Sequence, residues 1–251
     1  MIVEYQRPST IEEALKLLQR SDPLSFPMGG GTVLNQPADK KYAVVDLQDL
    51  SLDGLYARGN VLILGATLKL QRLLEAEATP PALRAVIQQE GTYHLRQMAS
   101  VAGTLVAADG RSPFATALLA LDASLVWLPG EEQVRLGDLL PVRDATLRGK
   151  LIVRVEIPAN VRLAYHYVSR TPADLPLVCA ALARWPAGRT RLALGGYGKA
   201  PLLAMDGPDA EGMETAARSA YAHAEDEWAS AEYRQEMAAL LALRGLEALQ
   251  G

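Results

Sequence analysis

The chain is short of the residues that proteins use to build redox and metal centres from their own side chains. It has one cysteine, Cys179, which predicts neither a disulfide framework nor a structural zinc site nor an iron–sulfur cluster held by this chain. Its three histidines, His94, His166 and His223, are too scattered to form a recognisable metal motif. We therefore expect no metal site, and any electrons that pass through the protein must be carried by an organic cofactor or by another chain.

Long apolar runs, basic tracts and an N-terminal signal pattern are also missing. Charged residues interrupt every apolar run before it reaches a bilayer-spanning length, so we expect no membrane insertion. The net charge is −4 and no cluster of Lys and Arg stands out, which argues against a nucleic-acid partner. No cationic segment precedes an apolar one at the start of the sequence, and this predicts a cytoplasmic location.

Two segments rich in small residues are the most informative features that the chain does have. Consecutive glycines let a backbone approach a ligand closely and adopt positive φ without strain. Successive N–H groups in such a loop can hold an anion. A glycine-rich stretch alone more often marks a turn, but together the two segments predict loops that bind the two phosphates of a dinucleotide. The first glycine segment is Gly29-Gly30-Gly31-Thr32-Val33-Leu34, and the second glycine segment is Ser100-Val101-Ala102-Gly103-Thr104.

Further short motifs accompany these segments in a fixed order along the chain. They are Val44-Val45-Asp46-Leu47, Gly65-Ala66-Thr67, Arg96-Gln97-Met98-Ala99, Ala117-Leu118-Leu119-Ala120-Leu121-Asp122-Ala123, Ser169-Arg170 with Asp174-Leu175, Arg191-Leu192-Ala193-Leu194-Gly195-Gly196 and Trp228-Ala229-Ser230-Ala231-Glu232-Tyr233-Arg234. Together with the glycine segments, this ordered set resembles the flavin-binding (medium) subunit of the molybdenum hydroxylases, the family of xanthine dehydrogenase and carbon monoxide dehydrogenase. The resemblance extends over nearly the whole chain.

The resemblance implies an α+β fold with three consecutive parts. Residues 1–54 and 55–160 would form the two α/β subdomains of a PCMH-type FAD-binding fold. Residues 161–251 would form a C-terminal domain like that of CO dehydrogenase flavoproteins, with a three-stranded antiparallel sheet and helices.

The resemblance also implies a function, which is electron transfer through FAD in a cytoplasmic oxidoreductase complex. The partners would be an iron–sulfur subunit and a molybdopterin-containing subunit, and an external acceptor would receive the electrons. No catalytic side chain is required, because the redox chemistry belongs to the flavin, and this chain alone would not act on the organic substrate. The implied FAD-binding residues include His166, which stands where some relatives carry a lysine near the flavin, and Asn35 would lie beside the first glycine segment. The remaining implied residues are Gly29, Gly30, Gly31, Thr32, Val33, Leu34, Ser100, Val101, Ala102, Gly103 and Thr104.

Three departures from the family pattern support a second interpretation. Ala102 replaces a glycine of the second segment, Pro113 stands in place of an aspartate, and Val33 replaces a polar residue. The chain could therefore be a scaffold subunit of the same fold that has lost FAD. A free-standing flavin oxidoreductase of the vanillyl-alcohol oxidase type is a weaker third interpretation, because no acid–base set for a substrate stands out in the C-terminal part.

Local patterns add expectations about individual elements. Ser9-Thr10-Ile11-Glu12 predicts a capping box that opens a helix. Ser112 and Pro113 predict the start of another helix. In the last helix, Tyr233, Met237, Leu240 and Leu241 form a stripe that predicts helix-on-helix core.

Overall fold

The computed structural model describes residues 1–34 and 40–250. Asn35, which the resemblance placed beside the first glycine segment, lies outside the described residues. The chain divides into two compact units: unit 1 comprises Met1–Leu73, Tyr93–Ala107 and Ser124–Ile157, and unit 2 comprises Leu74–Thr92, Ala108–Ala123 and Pro158–Gly251. Helices and strands mixed in several sheets confirm the α+β class. The three consecutive parts expected from the sequence stay a prediction.

The helices and strands have the following bounds. The strands are β1 (Ile2–Gln6), β2 (Ser25–Met28), β3 (Tyr42–Asp46), β4 (Leu55–Arg58), β5 (Val61–Gly65), β6 (Ser124–Leu128), β7 (Glu132–Arg135), β8 (Leu151–Pro158), β9 (Arg162–Val168), β10 (Val178–Arg184), β11 (Thr190–Gly195) and β12 (Leu202–Gly207). The α-helices are α1 (Ile11–Gln19), α2 (Leu70–Glu75), α3 (Pro81–Glu90), α4 (Tyr93–Met98), α5 (Val101–Ala107), α6 (Pro113–Ala120), α7 (Leu136–Leu139), α8 (Arg143–Thr146), α9 (Met213–Ala220) and α10 (Ala231–Gln250).

Unit 1 begins with a small parallel sheet in the order β1-β3-β2. Every residue of the central strand β3 is buried, and helix α1 packs Ala14 and Leu18 into the adjoining core. The predicted capping box is displaced by one residue, because Thr10 is the N-cap and its hydroxyl accepts a bond from Glu13 N–H at 3.2 Å. Strand β2 ends at Met28, so the first glycine segment begins directly after this strand.

The second sheet of unit 1 has five strands in the order β4-β5-β8-β6-β7. Strands β4 and β5 form an antiparallel hairpin, and Gly59 in its turn has φ of +58°. Strand β8 pairs antiparallel with β6. The sheet continues at Gly65 into the stretch that carries Ala66, Thr67 and α2, and this stretch contacts the second glycine segment.

Unit 2 is built on an antiparallel sheet in the order β12-β11-β10-β9. The structure adds β12 to the three strands that the sequence predicted. This strand lies at the sheet edge, contains only half-buried and exposed residues, and ends at Gly207. Glycine and proline near its ends are typical of loops, which is why its pattern did not stand out.

Helix α10 covers one face of this sheet largely through small residues, and the predicted stripe was only partly correct. Leu241 is buried and Met237 packs against the core, whereas Tyr233 and Leu240 are exposed. A Cβ on Gly245 would lie 3.4 Å from Leu182 Cβ, so the helix approaches the sheet closely where side chains are small. The buried positions of α10 are Arg234, Ala238, Ala239, Leu241, Ala242, Gly245 and Leu249.

Candidate functional site

Unit 1 contains a cavity of about 590 Å³, a volume typical of small-molecule sites. The whole first glycine segment, Gly29 to Leu34, lines it, together with Ser100, Ala102 and Gly103 of the second segment. The structure therefore brings the two predicted segments to one site. Two predicted residues of the second segment, Val101 and Thr104, do not line the cavity. Val101 is fully buried, and the Thr104 hydroxyl donates to Ser100 O at 2.9 Å.

The first glycine segment offers unused backbone donors to this cavity. Gly31 has φ of +69°, a conformation that favours glycine. Within residues 1–34 and 40–250, the N–H groups of Gly29, Gly30, Gly31, Thr32 and Val33 donate no hydrogen bond. These residues are half-buried, or exposed in the case of Val33, and they line the cavity, so their N–H groups are accessible to water or to an anionic ligand.

Glycine is also required here for close packing between the two segments. A Cβ on Gly29 would lie 2.5 Å from Ser100 Oγ, and a Cβ on Gly30 would overlap the carbonyl oxygen of Met98. Neither position has room for a side chain. The backbone of the first segment is therefore fixed directly against the residues that precede α5.

The prediction that the second glycine segment is a loop was wrong, because Val101 to Thr104 lie in α5. Val101 N–H donates to Leu68 O at 2.8 Å, and Ala102 N–H donates to Ala66 O at 3.1 Å. Gly103 N–H donates to Ser100 Oγ at 3.3 Å, and Thr104 N–H donates to Ser100 O at 2.8 Å. Ser100 thus caps a helix whose first N–H groups are already used. This segment forms a wall of small residues and does not supply the predicted second row of donors.

Lys69 joins the first glycine segment to the end of α4, and sequence reasoning missed it. Its Nζ donates to the carbonyl oxygen of Gly29 at 2.7 Å and to that of Met98 at 3.0 Å. Burial lowers the pKa of Lys69 below its usual value, and the charge of Asp46 opposes this shift. The available signal was a cation two residues after the Gly65-Ala66-Thr67 motif.

The charged residues of the cavity lining are mostly cations. Among the residues that the structure describes, they are Arg20, Arg143, Arg148 and Lys150, with Asp144 as the one acid. Arg20 donates to Ser25 Oγ at 2.9 Å and to Glu4 Oε1 at 2.8 Å. Its buried Nη2 has no hydrogen-bond partner among the described residues. Lys150 likewise pairs with Glu132 at 3.4 Å, so Arg20 and Lys150 are both partly neutralised. Open backbone donors beside Arg148 and these paired cations fit a diphosphate-containing ligand.

His166 lies in unit 2 and does not line this cavity. It is half-buried on β9, on the strand face that carries Ala164 into the core beneath α9 and α10. Burial, and next the charge of Arg244, lower the pKa of His166 below its usual value. This shift favours the neutral imidazole. A contact between His166 and a flavin stays a prediction.

Three other residues have roles that are visible in the structure. Asp46 caps the turn after β3, where its Oδ1 accepts from Gln48 N–H at 3.1 Å. Ser112 caps α6 through Ala115 N–H at 3.1 Å, with Pro113 at the first helical position. Cys179 is fully buried, and burial raises the pKa of its thiol to about 11, which disfavours the reactive thiolate.

Residues 1–34 and 40–250 contain no group of three or more His, Cys, Asp and Glu side chains arranged to hold a metal ion. No helix in these ranges combines the length and apolar character needed to cross a bilayer.

Comparison with known proteins extends the description of this site. Residues 1–160 match the family described as the FAD binding domain in molybdopterin dehydrogenase. The uncharacterized protein YgfM of Escherichia coli (strain K12) is 33% identical over 210 residues, which cover 82% of this chain and 79% of that protein.

Solved structures show the same fold at low sequence identity. Reconstituted CO dehydrogenase from Oligotropha carboxidovorans has a TM-score of 0.83 at 22% identity, covering 97% of this chain and 96% of that chain. Quinoline 2-oxidoreductase from Pseudomonas putida 86 has a TM-score of 0.81 at 23% identity, covering 99% of this chain and 97% of that chain. These structures therefore support the α+β fold.

Proposed function

Since the chain belongs to the family of FAD-binding domains of molybdopterin dehydrogenases, we propose that it is the electron-transfer subunit of a molybdenum hydroxylase complex. Bound FAD would supply the redox chemistry of electron transfer between the iron–sulfur clusters of a partner subunit and an external acceptor. The single observation that carries the proposal is the row of open N–H donors from Gly29 to Val33 on a cationic cavity.

The residues of unit 1 would bind and orient the diphosphate of FAD. The N–H groups of the first glycine segment would donate to phosphate oxygens, and Arg20 and Arg148 would offset their negative charge. Ser100, Ala102 and Gly103 would form the opposite wall. Apolar lining side chains such as Leu147 and Ile152 would exclude water from the rest of the cavity.

Partner subunits are part of the proposal because this chain carries no cluster ligands of its own. Its single cysteine is buried and inert. We propose a cytoplasmic hetero-oligomer in which one partner holds the iron–sulfur clusters and another holds the molybdopterin centre. Purification from the native source should then recover iron and molybdenum with this chain. A stable monomer that oxidises organic substrate alone would contradict the proposal.

One observation favours the scaffold alternative. The N–H groups of Val101, Ala102 and Thr104 are occupied by protein carbonyls, so the expected second phosphate cradle is absent. If the first glycine segment does not suffice, the chain would keep the fold without FAD. A measurement of FAD binding distinguishes the two functions, because the electron-transfer subunit binds FAD and the scaffold does not.

Titration of the apoprotein with FAD tests the proposal. Flavin fluorescence gives the affinity, and absorbance bands near ~370 and ~450 nm mark bound flavin. FAD should bind at least tenfold more tightly than riboflavin, which lacks the phosphates.

A charge-reversal variant tests the cationic lining. Arg148→Glu should weaken FAD but not riboflavin, whereas Arg58→Glu, exposed on β4, is the control with the same charge change. A colourless protein that takes up no FAD would favour the scaffold function.

A further inference from the structure

Lys69 lies between β5 and α2, behind the wall of the cavity. It is half-buried and is not one of the residues that line the cavity. Its ammonium donates to Gly29 O at 2.7 Å and to Met98 O at 3.0 Å. One charged group therefore connects the residue that begins the first glycine segment with the residue that ends α4.

The bond to Gly29 O has a consequence for the next N–H group. In a trans peptide, the C=O bond and the following N–H bond lie in the same plane and point in opposite directions. When Lys69 holds the Gly29 carbonyl, the Gly30 N–H is directed away from Lys69. Gly30 lines the cavity and its N–H donates no hydrogen bond within residues 1–34 and 40–250.

The positive charge of Lys69 also lies close to this backbone. A Cβ on Gly30 would be 3.4 Å from Lys69 Nζ. An ammonium has three N–H donors, and two of them bind the carbonyls of Gly29 and Met98. The contact of Gly30 with Met98 O prevents the segment from moving towards α4.

We propose that Lys69 is a positioning residue for the diphosphate of FAD. It holds the peptide between Gly29 and Gly30 so that the Gly30 N–H points to the cavity, and it adds positive charge behind that donor. This inference rests on the proposed function, because FAD in this cavity is the ligand that the positioned N–H would bind.

The test compares Lys69→Met with Lys16→Met, which removes the same charge from an exposed position on α1. Lys69→Met should weaken FAD about tenfold to hundredfold. Riboflavin should bind both variants and the natural chain equally, since it has no diphosphate. Lys16→Met should leave both ligands unchanged. A loss of FAD affinity below twofold in Lys69→Met, or an equal loss for both flavins, would overturn the inference.

Chemical rescue distinguishes positioning from a folding defect. Lys69→Cys can be alkylated with 2-bromoethylamine to restore an ammonium on a side chain of nearly the same length. Cys179 is fully buried and should stay unmodified, as mass spectrometry would verify. Aminoethylation should restore FAD affinity to within about threefold of the natural chain; a correctly folded, fully alkylated protein without recovery would count against Lys69.

A measurement without FAD keeps the two proposals separate. In apoprotein, the NMR order parameter of the Gly30 amide should fall from about 0.85 towards 0.6 in Lys69→Met and stay high in Lys16→Met. If the natural chain fails to bind FAD, the proposed function falls while this loss of order still supports the role of Lys69. An equally rigid Gly30 amide in Lys69→Met would overturn that role.

Discussion

Gly30 packs against the carbonyl oxygen of Met98 so closely that a Cβ atom on Gly30 would overlap it. Gly30→Ala should therefore separate the first glycine segment from the end of α4 and misplace the open N–H donors. We expect FAD affinity to fall at least about tenfold, the scale of a lost bond to a charged group. Flavin fluorescence titration measures this loss.

Gly54→Ala is the matched control for that substitution. A Cβ on Gly54 would meet Tyr56 Cε1 at 3.7 Å, which is ordinary contact. This variant should bind FAD like the natural chain. If Gly30→Ala folds and also binds FAD normally, the first glycine segment is only a turn.

Ala102→Gly should not improve FAD binding, although the family pattern has glycine there. Ala102 lies in α5 with its N–H bonded to Ala66 O, so its Cβ causes no backbone strain. Glycine in a helix costs about 0.5–1 kcal/mol relative to alanine. We expect a small loss of stability in urea unfolding and an unchanged FAD affinity. A clear gain in affinity would show that the Ala102 side chain obstructs the ligand.

Glu90 should make the stability of unit 2 depend on pH. Its carboxylate accepts bonds from Phe114 N–H at 2.8 Å and from the Ser112 hydroxyl, yet burial raises its pKa from 4.5 to about 7. The folded chain therefore binds this proton more tightly than the unfolded chain. The resulting stabilisation is complete below pH 4.5 and is lost as the pH rises to about 7.

Glu90→Gln, whose amide cannot titrate, should remove this dependence of the free energy of unfolding on pH. The change between the two pH limits is on the order of 1–3 kcal/mol. Urea unfolding at several pH values measures it, and Glu247→Gln at an exposed position of α10 is the control. Parallel pH profiles for the natural chain and Glu90→Gln would show that Glu90 does not titrate in this range.

Much of the fold and part of the site could be predicted from the sequence, because short-range patterns determine them. The strands that flank the first glycine segment and the Ser112 cap of α6 are local features. The helical start of α5 was missed because Gly103 suggested a loop, whereas the Ser100 hydroxyl caps a helix there. Lys69 could not be found in this way, since its acceptors are 40 and 29 residues away in sequence.

The error in α10 has a different physical cause. Hydrophobic periodicity selects large apolar residues, and here the buried face is formed by small ones that let the helix approach β10. Arg234, which is fully buried and donates to Asp226 Oδ1 at 2.7 Å, lies on the same face. A pattern of hydrophobicity alone cannot anticipate a charged residue in such a position.

Two arginines of unit 2, Arg189 and Arg191, share the same two carboxylates. Arg191 is almost fully buried and lies 3.0 Å from Asp122 and 2.7 Å from Asp206. Arg189 is partly exposed and lies 2.9 Å and 2.8 Å from the same acids. Arg191 also donates to Leu119 O at 3.1 Å, which ties α6 to the sheet.

Arg191→Met should therefore destabilise the chain by about 3 kcal/mol or more, because it breaks a buried ion pair and leaves Leu119 O without this donor. Arg189→Met should cost only about 1 kcal/mol, since water already screens the more exposed guanidinium. Urea unfolding of the two variants measures the difference, and salt should reduce the effect of Arg189 more than that of Arg191. Equal losses in both variants would show that burial does not distinguish these two arginines.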